Sequence, residues 1–325
     1  MKGFIDLQVN GWMGLDFTRE GLTLDDVRRV TRDMVARGTV AFCPTIITGN
    51  PDVYRENFQV LAKAMKDPEL APHLPGIHLE GPFISPEPGA VGAHPLQFVL
   101  DPDPATFDRF QEWAEGGIRI LTMAPERPGA EALIRHAVRQ GVTVSIGHHM
   151  ASNADMARAV ASGATLCTHV GNGLPNQIHR HDNPLWWQMA CDEVNGMFIT
   201  DGHHLPAGLI TVALRAKTPA RFIVTSDASP LAGMPAGNYT IFNGLKVSIS
   251  GTGRISAEST GGLAGSHSTM FECMNHLASL NLLPERELWR VGFENQARLL
   301  GKKTDAWAAL PGPDVRFENH RFVLG

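Results

Sequence analysis

Acidic residues and histidines recur in this chain at the ends of short apolar runs. The runs end in His78-Leu79-Glu80-Gly81-Pro82, Gly147-His148-His149, Thr168-His169-Val170-Gly171-Asn172, Asp201-Gly202-His203-His204 and Ser226-Asp227-Ala228. One carboxylate and two imidazoles from separate segments make a three-ligand site with an open position, the arrangement of catalytic rather than structural zinc. Glu80, His148 and His169 fit that description. Asp227 supplies a further carboxylate, suited to general-base work on a water beside such a metal. An aspartate in this position also reads as a helix N-cap. A single histidine here would ordinarily be a hydrogen-bonded loop or core residue. Five run ends of this kind are harder to read that way, provided the fold brings them together.

The positioning elements follow from the pattern. Eight apolar segments recur: Phe4–Val9, Val40–Ile47, Leu74–Leu79, Ile118–Met123, Val142–Ile146, Ala164–Val170, Gly196–Thr200 and Arg221–Thr225. Helical patterns lie between most of them. The clearest begins at Thr23, whose side chain can form a capping box with Asp26. Leu24, Val27, Val30, Thr31 and Met34 then share one face, and Gly38 supplies the stop. Strands alternating with helices imply parallel βαβ units, and eight of them predict an α/β fold of the (β/α)8 TIM-type barrel class. The site of such a barrel lies at the C-terminal ends of its strands, where the acidic residues and histidines fall. A doubly wound open sheet alternates similarly, but no Gly-x-Gly-x-x-Gly follows the first strand.

After Asp227 the pattern changes. Tyr239–Ile255 reads as a hairpin with Asn243-Gly244 at its turn, followed by helices near Ser268–Leu280 and Pro284–Leu300 and by one or two strands from Asp314. The expected organisation is a barrel over residues 1–305, with a hairpin insertion near 239–256, and a short strand segment over 306–325.

Composition narrows the function classes. The 325 residues are 43% hydrophobic and 19% charged, with 28 Lys plus Arg against 33 Asp plus Glu and a net charge of -5. This suits one large domain or two ordinary ones and disfavours a globally basic nucleic-acid binder. No apolar run approaches the roughly 18–20 residues of a membrane span, and the N-terminus enters a strand pattern without a signal-peptide apolar region. Four dispersed cysteines form no Cys-x-x-Cys pair, which argues against a disulfide framework or thiolate zinc site and for a cytoplasmic location. No Gly-x-Ser-x-Gly elbow suggests a serine nucleophile.

Taken in order, His78-Leu79-Glu80-Gly81-Pro82-Phe83, Gly147-His148, Thr168-His169 with Asn172, Asp201-Gly202-His203-His204, Val224-Thr225-Ser226-Asp227-Ala228, Leu263-Ala264-Gly265-Ser266 and Thr269-Met270 closely resemble the N-acetylglucosamine-6-phosphate deacetylases of the amidohydrolase superfamily. The resemblance runs from Gly3 to about Gly301. It implies a metal-dependent barrel that removes acetate from the 2-acetamido group of a sugar phosphate. Glu80, His148 and His169 would be the metal ligands and Asp227 the acid/base. His94, in Gly92-Ala93-His94, would help polarise the acetyl carbonyl, and His204 would bind substrate. Asn172 and Gly173 match a loop whose backbone meets the sugar. Arg180 matches a phosphate-binding arginine that reaches across the interface of a homodimer.

Three departures qualify this. Gln8-Val9-Asn10 stands where many superfamily members carry His-x-His for a second metal. Neutral amides are poor ligands beside imidazole, so one divalent ion per chain is expected, with Zn2+ favoured and Fe2+, Mn2+ or Co2+ as alternatives. The family's small β-sandwich is expected to be absent or reduced to tail strands, because the chain begins at strand 1. The loop His179-Arg180-His181-Asp182-Asn183-Pro184-Leu185-Trp186-Trp187 is unusual for the family. The two tryptophans would pack on the barrel or a partner subunit, or else mark a different substrate. The leading expectation is a deacetylase of N-acetylglucosamine-6-phosphate, a small-molecule substrate, with no nucleic-acid or membrane partner. The rivals are the same hydrolysis on another N-acyl amino sugar or an N-acyl amino acid, and a non-catalytic sugar-phosphate-binding protein. The intact Asp227 and ligand set argue against the last.

Overall fold

The computed structural model describes residues 3–241, 244–259, 261–308 and 310–325. Eight strands form one parallel sheet in chain order: β1 (Phe4–Val9), β2 (Thr39–Ile47), β3 (Ile77–Glu80), β4 (Ile118–Met123), β5 (Thr143–Ile146), β6 (Leu166–Cys167), β7 (Asn195–Ile199) and β8 (Phe222–Thr225). The connecting helices are α1 (Leu24–Ala36), α2 (Pro51–Ala64), α3 (Pro104–Trp113), α4 (Ala130–Arg139), α5 (Asn153–Ala161), α6 (Pro184–Ala190) and α7 (Ala207–Arg221). This is the expected (β/α)8 arrangement. In α1, Thr23 and Asp26 close the capping box, and Val27, Val30, Thr31 and Met34 are buried. No helix among the described residues is long and apolar enough to cross a membrane.

Two strands differ from their sequence reading by more than one residue at an end. β3 starts at Ile77 rather than Leu74, because Pro75 has no N–H to donate to a ladder, and it ends on Glu80 itself. β6 keeps only Leu166–Cys167. Beyond it His169 takes a positive φ of 26°, which no regular strand accommodates.

The seam between β1 and β8 is closed differently from the other strand pairs. Val9 bridges Ala228, and the Asn10 N–H donates to the Ala228 carbonyl at 2.9 Å. Below that bridge a side chain takes over. Asp6, fully buried, accepts from Thr225 Oγ1 at 2.7 Å, from the Ser226 N–H at 3.1 Å and from the Ser226 hydroxyl. Burial pushes the Asp6 carboxyl up, and those hydrogen bonds oppose the shift. Asp6→Ala strands at least three buried donors across the seam. Each unsatisfied group costs about 1–3 kcal/mol, so unfolding in urea should show a loss of roughly 3–5 kcal/mol at unchanged m-value.

Helix α8 (Met270–Ser279) follows β8. A longer helix then runs through Glu285–Trp289, Arg290–Glu294 and Asn295–Leu299, with a π-helical middle turn. It pins β8 through Asn295 to the Phe222 carbonyl and Gln296 to the Val224 carbonyl. The insertion has three antiparallel strands, β9 (Gly237–Thr240), β10 (Lys246–Ile249) and β11 (Ile255–Ala257), rather than a simple hairpin. Its turn residue Asn243 lies outside the described residues. Leu231, Val247, Ile249, Ile255 and Ala264 form its own small core, and Ala93 packs against it, so the His94 loop rests on the insertion. The tail forms a hairpin, β12 (Val315–Glu318) and β13 (Arg321–Leu324). It closes the barrel floor by setting Phe322 against Phe4 (4.9 Å) and Trp289 (5.1 Å).

Candidate metal and active site

Glu80 ends β3, while His148 and His169 follow β5 and β6. All three are buried. His169 Nε2 lies 2.9 Å from Glu80 Oε1 and 3.1 Å from His148 Nε2, and His148 Nε2 lies 3.3 Å from the same carboxylate oxygen. Among the described residues this is the one group of three such side chains able to share a metal ion. Ligand atoms at about 2.0–2.1 Å from a tetrahedral zinc are themselves about 3.3 Å apart, so the spacing suits one small cation. The His148 Nδ1–H donates to the Ala90 carbonyl at 2.8 Å, leaving the Nε2 lone pair for the site. Such outer partners orient ligating histidines. Burial alone would raise the Glu80 carboxyl, but the adjacent His148 and His169 imidazoles hold it well below its ordinary range.

The backbone here is strained. His148, His169 and Asp227 all adopt positive φ, at 51°, 26° and 51°, a conformation costly for residues with a Cβ and often found where function requires it. Two glycines make room for the His148 ring. An added Cβ at Gly173 (φ 62°) would sit 3.1 Å from His148 Nδ1, and one at Gly92 (φ 59°) 3.2 Å from its Cε1. Gly173→Ala should therefore cost about 1–2 kcal/mol in backbone strain and tilt the imidazole. Metal titration should show roughly 10–100-fold weaker binding, the scale of a lost outer-sphere support.

The strand-1 amides have a positive role. Gln8 Nε2 donates to both Glu80 Oε1 and Asp227 Oδ1 at 2.9 Å, and Asn10 Nδ2 donates to Asp227 Oδ1 at 2.7 Å. They brace the two carboxylates side by side. Asp227 is pushed up to about 6, first by burial and then by the charge of Glu80. It follows β8 as the sequence implies. Its carbonyl accepts from the Ser266 N–H at 2.9 Å, and the Ser229 N–H donates back to the Ser266 carbonyl at 2.8 Å.

His94 is buried, and burial and then His148 push it down to about 3, so its ring is neutral at pH 7. The Thr48 N–H donates to its Nδ1 at 3.3 Å. The ring proton therefore sits on Nε2, which lies 3.9 Å from Glu80 Oε2 and faces the site as a donor. The His204 Nδ1–H donates to Asp201 Oδ2 at 2.8 Å, and the Ser266 hydroxyl donates to the same oxygen at 2.7 Å. His204 Nε2 is thus left for a ligand. Asn172 is tied to the ligand loop by its N–H to the His169 carbonyl at 2.9 Å.

Other sequence candidates are used elsewhere. His78 spans Leu7 O and Thr122 Oγ1 inside the barrel, His149 meets Gln188, and His203 reaches the Thr252 carbonyl of the insertion. Arg180 is exposed on the β6–α6 loop, and its carbonyl accepts from Trp186 Nε1 at 2.9 Å. Trp187 packs on the main core, while Trp186 stays 52% exposed.

Residues given no role in the sequence reading also support the site. Asp6 closes the seam, and Ser266 ties Asp227 to Asp201. Glu126, just past β4, accepts from the Met150 N–H at 2.7 Å and from Ser85, holding the loop that carries His148. The carboxylate of Glu126 stands three residues beyond its strand, past Ala124-Pro125. Inspection of the residues closing the β4 run would have found it.

An eight-stranded parallel barrel, with a carboxylate and two imidazoles converging at its C-terminal strand ends beside a braced aspartate, defines an amidohydrolase-type barrel. No family model matches the chain. The chain is 33% identical over 316 residues to the N-acetylglucosamine-6-phosphate deacetylase of Danio rerio, covering 92% of this chain and 74% of that one. It is 31% identical over 304 residues to the Bacillus subtilis enzyme of the same name, covering 93% and 75%. A solved mutant of N-acetyl-D-glucosamine-6-phosphate deacetylase from Mycobacterium smegmatis, in complex with N-acetyl-D-glucosamine-6-phosphate, superposes with a TM-score of 0.84 at 29% identity, over 93% of this chain and 77% of that one. The chain belongs to the N-acetylglucosamine-6-phosphate deacetylase family.

Proposed function

We propose that this protein hydrolyses N-acetylglucosamine-6-phosphate to glucosamine-6-phosphate and acetate. The observation that carries the reading is the convergence of Glu80, His148 and His169 beside the amide-braced Asp227, on a chain of this family. These three side chains would hold one divalent ion. Zn2+ suits the mixed imidazole and carboxylate set, and Fe2+, Mn2+ and Co2+ are alternatives. A bound ion of this kind supplies polarisation of the acetyl oxygen and lowers the pKa of an adjacent water toward about 7.

The protein's own groups do the rest. Asp227, ionised, takes the proton of the attacking water and delivers it to the nitrogen as the C–N bond breaks. His94 donates its Nε2–H to the acetyl oxygen as negative charge builds there. His204, oriented by Asp201, hydrogen-bonds a sugar hydroxyl, and the backbone of Asn172 and Gly173 lines the sugar. Arg180 grips the phosphate of a neighbouring subunit's substrate in a homodimer, and the cytoplasm supplies the phosphorylated substrate.

Acetate release from N-acetylglucosamine-6-phosphate, beside unphosphorylated N-acetylglucosamine and with zinc added, tests this reading. No release from the phosphorylated sugar rejects it. Arg180→Ala should raise KM for the phosphorylated substrate by roughly 10–150-fold, equivalent to about 1.5–3 kcal/mol for a lost charge-assisted contact. Unphosphorylated sugar should be affected far less. A second reading, the same hydrolysis on a different N-acyl amino sugar or an N-acyl amino acid, is favoured by Trp186, whose indole is held by the Arg180 carbonyl yet half exposed. Preference for such a substrate, with Arg180→Ala kinetically silent, selects it.

A further inference from the structure

The side-chain hydrogen bonds that Gln8 and Asn10 donate all go to carboxylates, but their amide oxygens are not used. Gln8 is wholly buried and Asn10 is 8% exposed. Gln8 Oε1 and Asn10 Oδ1 have no hydrogen-bond partner among the described residues. The amides cannot turn over to satisfy them, because each would then aim a carbonyl oxygen at Asp227 and, for Gln8, at Glu80 as well. A buried acceptor left unpaired is costly. Two such oxygens, on side chains bonded to the same oxygen of Asp227, call for a ligand with two donors.

We propose that Gln8 Oε1 and Asn10 Oδ1 form the subsite for the amine released by deacetylation; this rests on the deacetylase reading. Atoms balance as follows. Water's oxygen forms the new bond to the acetyl carbon and leaves as acetic acid, whose remaining proton passes to solvent to give acetate. The C–N bond breaks and its electron pair stays on nitrogen. That nitrogen keeps its amide N–H and takes one proton from Asp227, becoming –NH2. Its two N–H bonds match the two unused acceptors. To be protonated it must lie within hydrogen-bond reach of Asp227, and both amide heads are anchored on that carboxylate. Neutral acceptors also add no negative charge to retain the amine once solvent converts it to ammonium. The strand-1 amides would thus bind the leaving nitrogen as well as brace the base.

Competitive inhibition by glucosamine-6-phosphate and by 2-deoxyglucose-6-phosphate, which differ only at C2, tests the subsite on the metal-loaded protein. Wild type should bind the amine about tenfold or more tighter than the deoxy sugar, the scale of one to two net hydrogen bonds. In Gln8→Met and Asn10→Ala that ratio should fall severalfold. A wild-type ratio near one overturns the proposal, and so does an unchanged ratio in both folded variants. The wild-type ratio needs no variant, so a misfolded variant leaves the idea exposed to refutation. Calorimetry gives the same ratio without turnover. Absence of acetate release by wild type would instead reject the functional reading, and glucosamine against 2-deoxyglucose would then decide the subsite by the same criterion.

Discussion

Asp227→Asn should leave the fold and metal content intact while lowering acetate release by about 10²–10⁴-fold or more, the usual contribution of an acid/base group. Asparagine has nearly the shape of aspartate, and one amide orientation can still accept from Gln8 and Asn10, so the brace survives. It cannot take a proton from water or return one to nitrogen. The pH profile offers an independent check. The Asp227 carboxyl is pushed up to about 6, by burial first and the charge of Glu80 second. A base works only when ionised, so wild-type kcat/KM should fall as pH drops through its pKa. A cation on the neighbouring ligands favours the carboxylate and moves that limb below 6. Residual activity in the variant should lack the limb. Near-normal turnover in Asp227→Asn would falsify the role and leave Asp227 as an orienting group.

Glu80→Gln should remove the metal. The replacement is similar in size and can still accept from Gln8, but the only anionic ligand of the set is gone. Changing an outer-sphere partner typically costs 10–100-fold in metal affinity, and losing a ligand outright should cost more. Metal content after dialysis should therefore fall from about one per chain to far below one, and acetate release should fall to background. Retention of one tightly held ion with normal turnover would mean that the cation sits elsewhere. Because a ligand that binds only the folded state stabilises it, chelation should lower the melting temperature of wild type but barely move that of the variant.

The parts of this arrangement visible in the sequence were those set by local pattern. Eight apolar runs gave the strands because each is buried within the barrel, and Thr23 with Asp26 gave the start of α1 because a capping box is a local device. The grouping of Glu80, His148 and His169 was legible because carboxylate and imidazole chemistry is rare at so many strand ends. The role of Gln8 and Asn10 was only half legible. Their poverty as metal ligands follows from composition, but their grip on Asp227 spans 219 and 217 residues and depends on which end of each amide points where. Asp6 was hidden for a similar reason, since one acid in an apolar run does not reveal partners at Thr225 and Ser226. The third insertion strand and the short β6 reflect tertiary pairing overriding local preference.

The seam between β1 and β8 has a consequence for the order in which the molecule comes into being. Glu80 and His169, separated by 89 residues, can meet once the first six barrel strands have been made. Asp6 and Ser226 are 220 residues apart, so the contacts that close the barrel and seat the base are among the most distant in the chain. Closing so long a loop is slow and entropically costly, and synthesis proceeds from the N-terminus. A nascent chain that ends before β8 already carries Glu80, His148 and His169 but not Asp227. On the proposed reading, the residues that would hold a cation are therefore synthesised before the proposed base, and Asp227 arrives with the strand that completes the barrel.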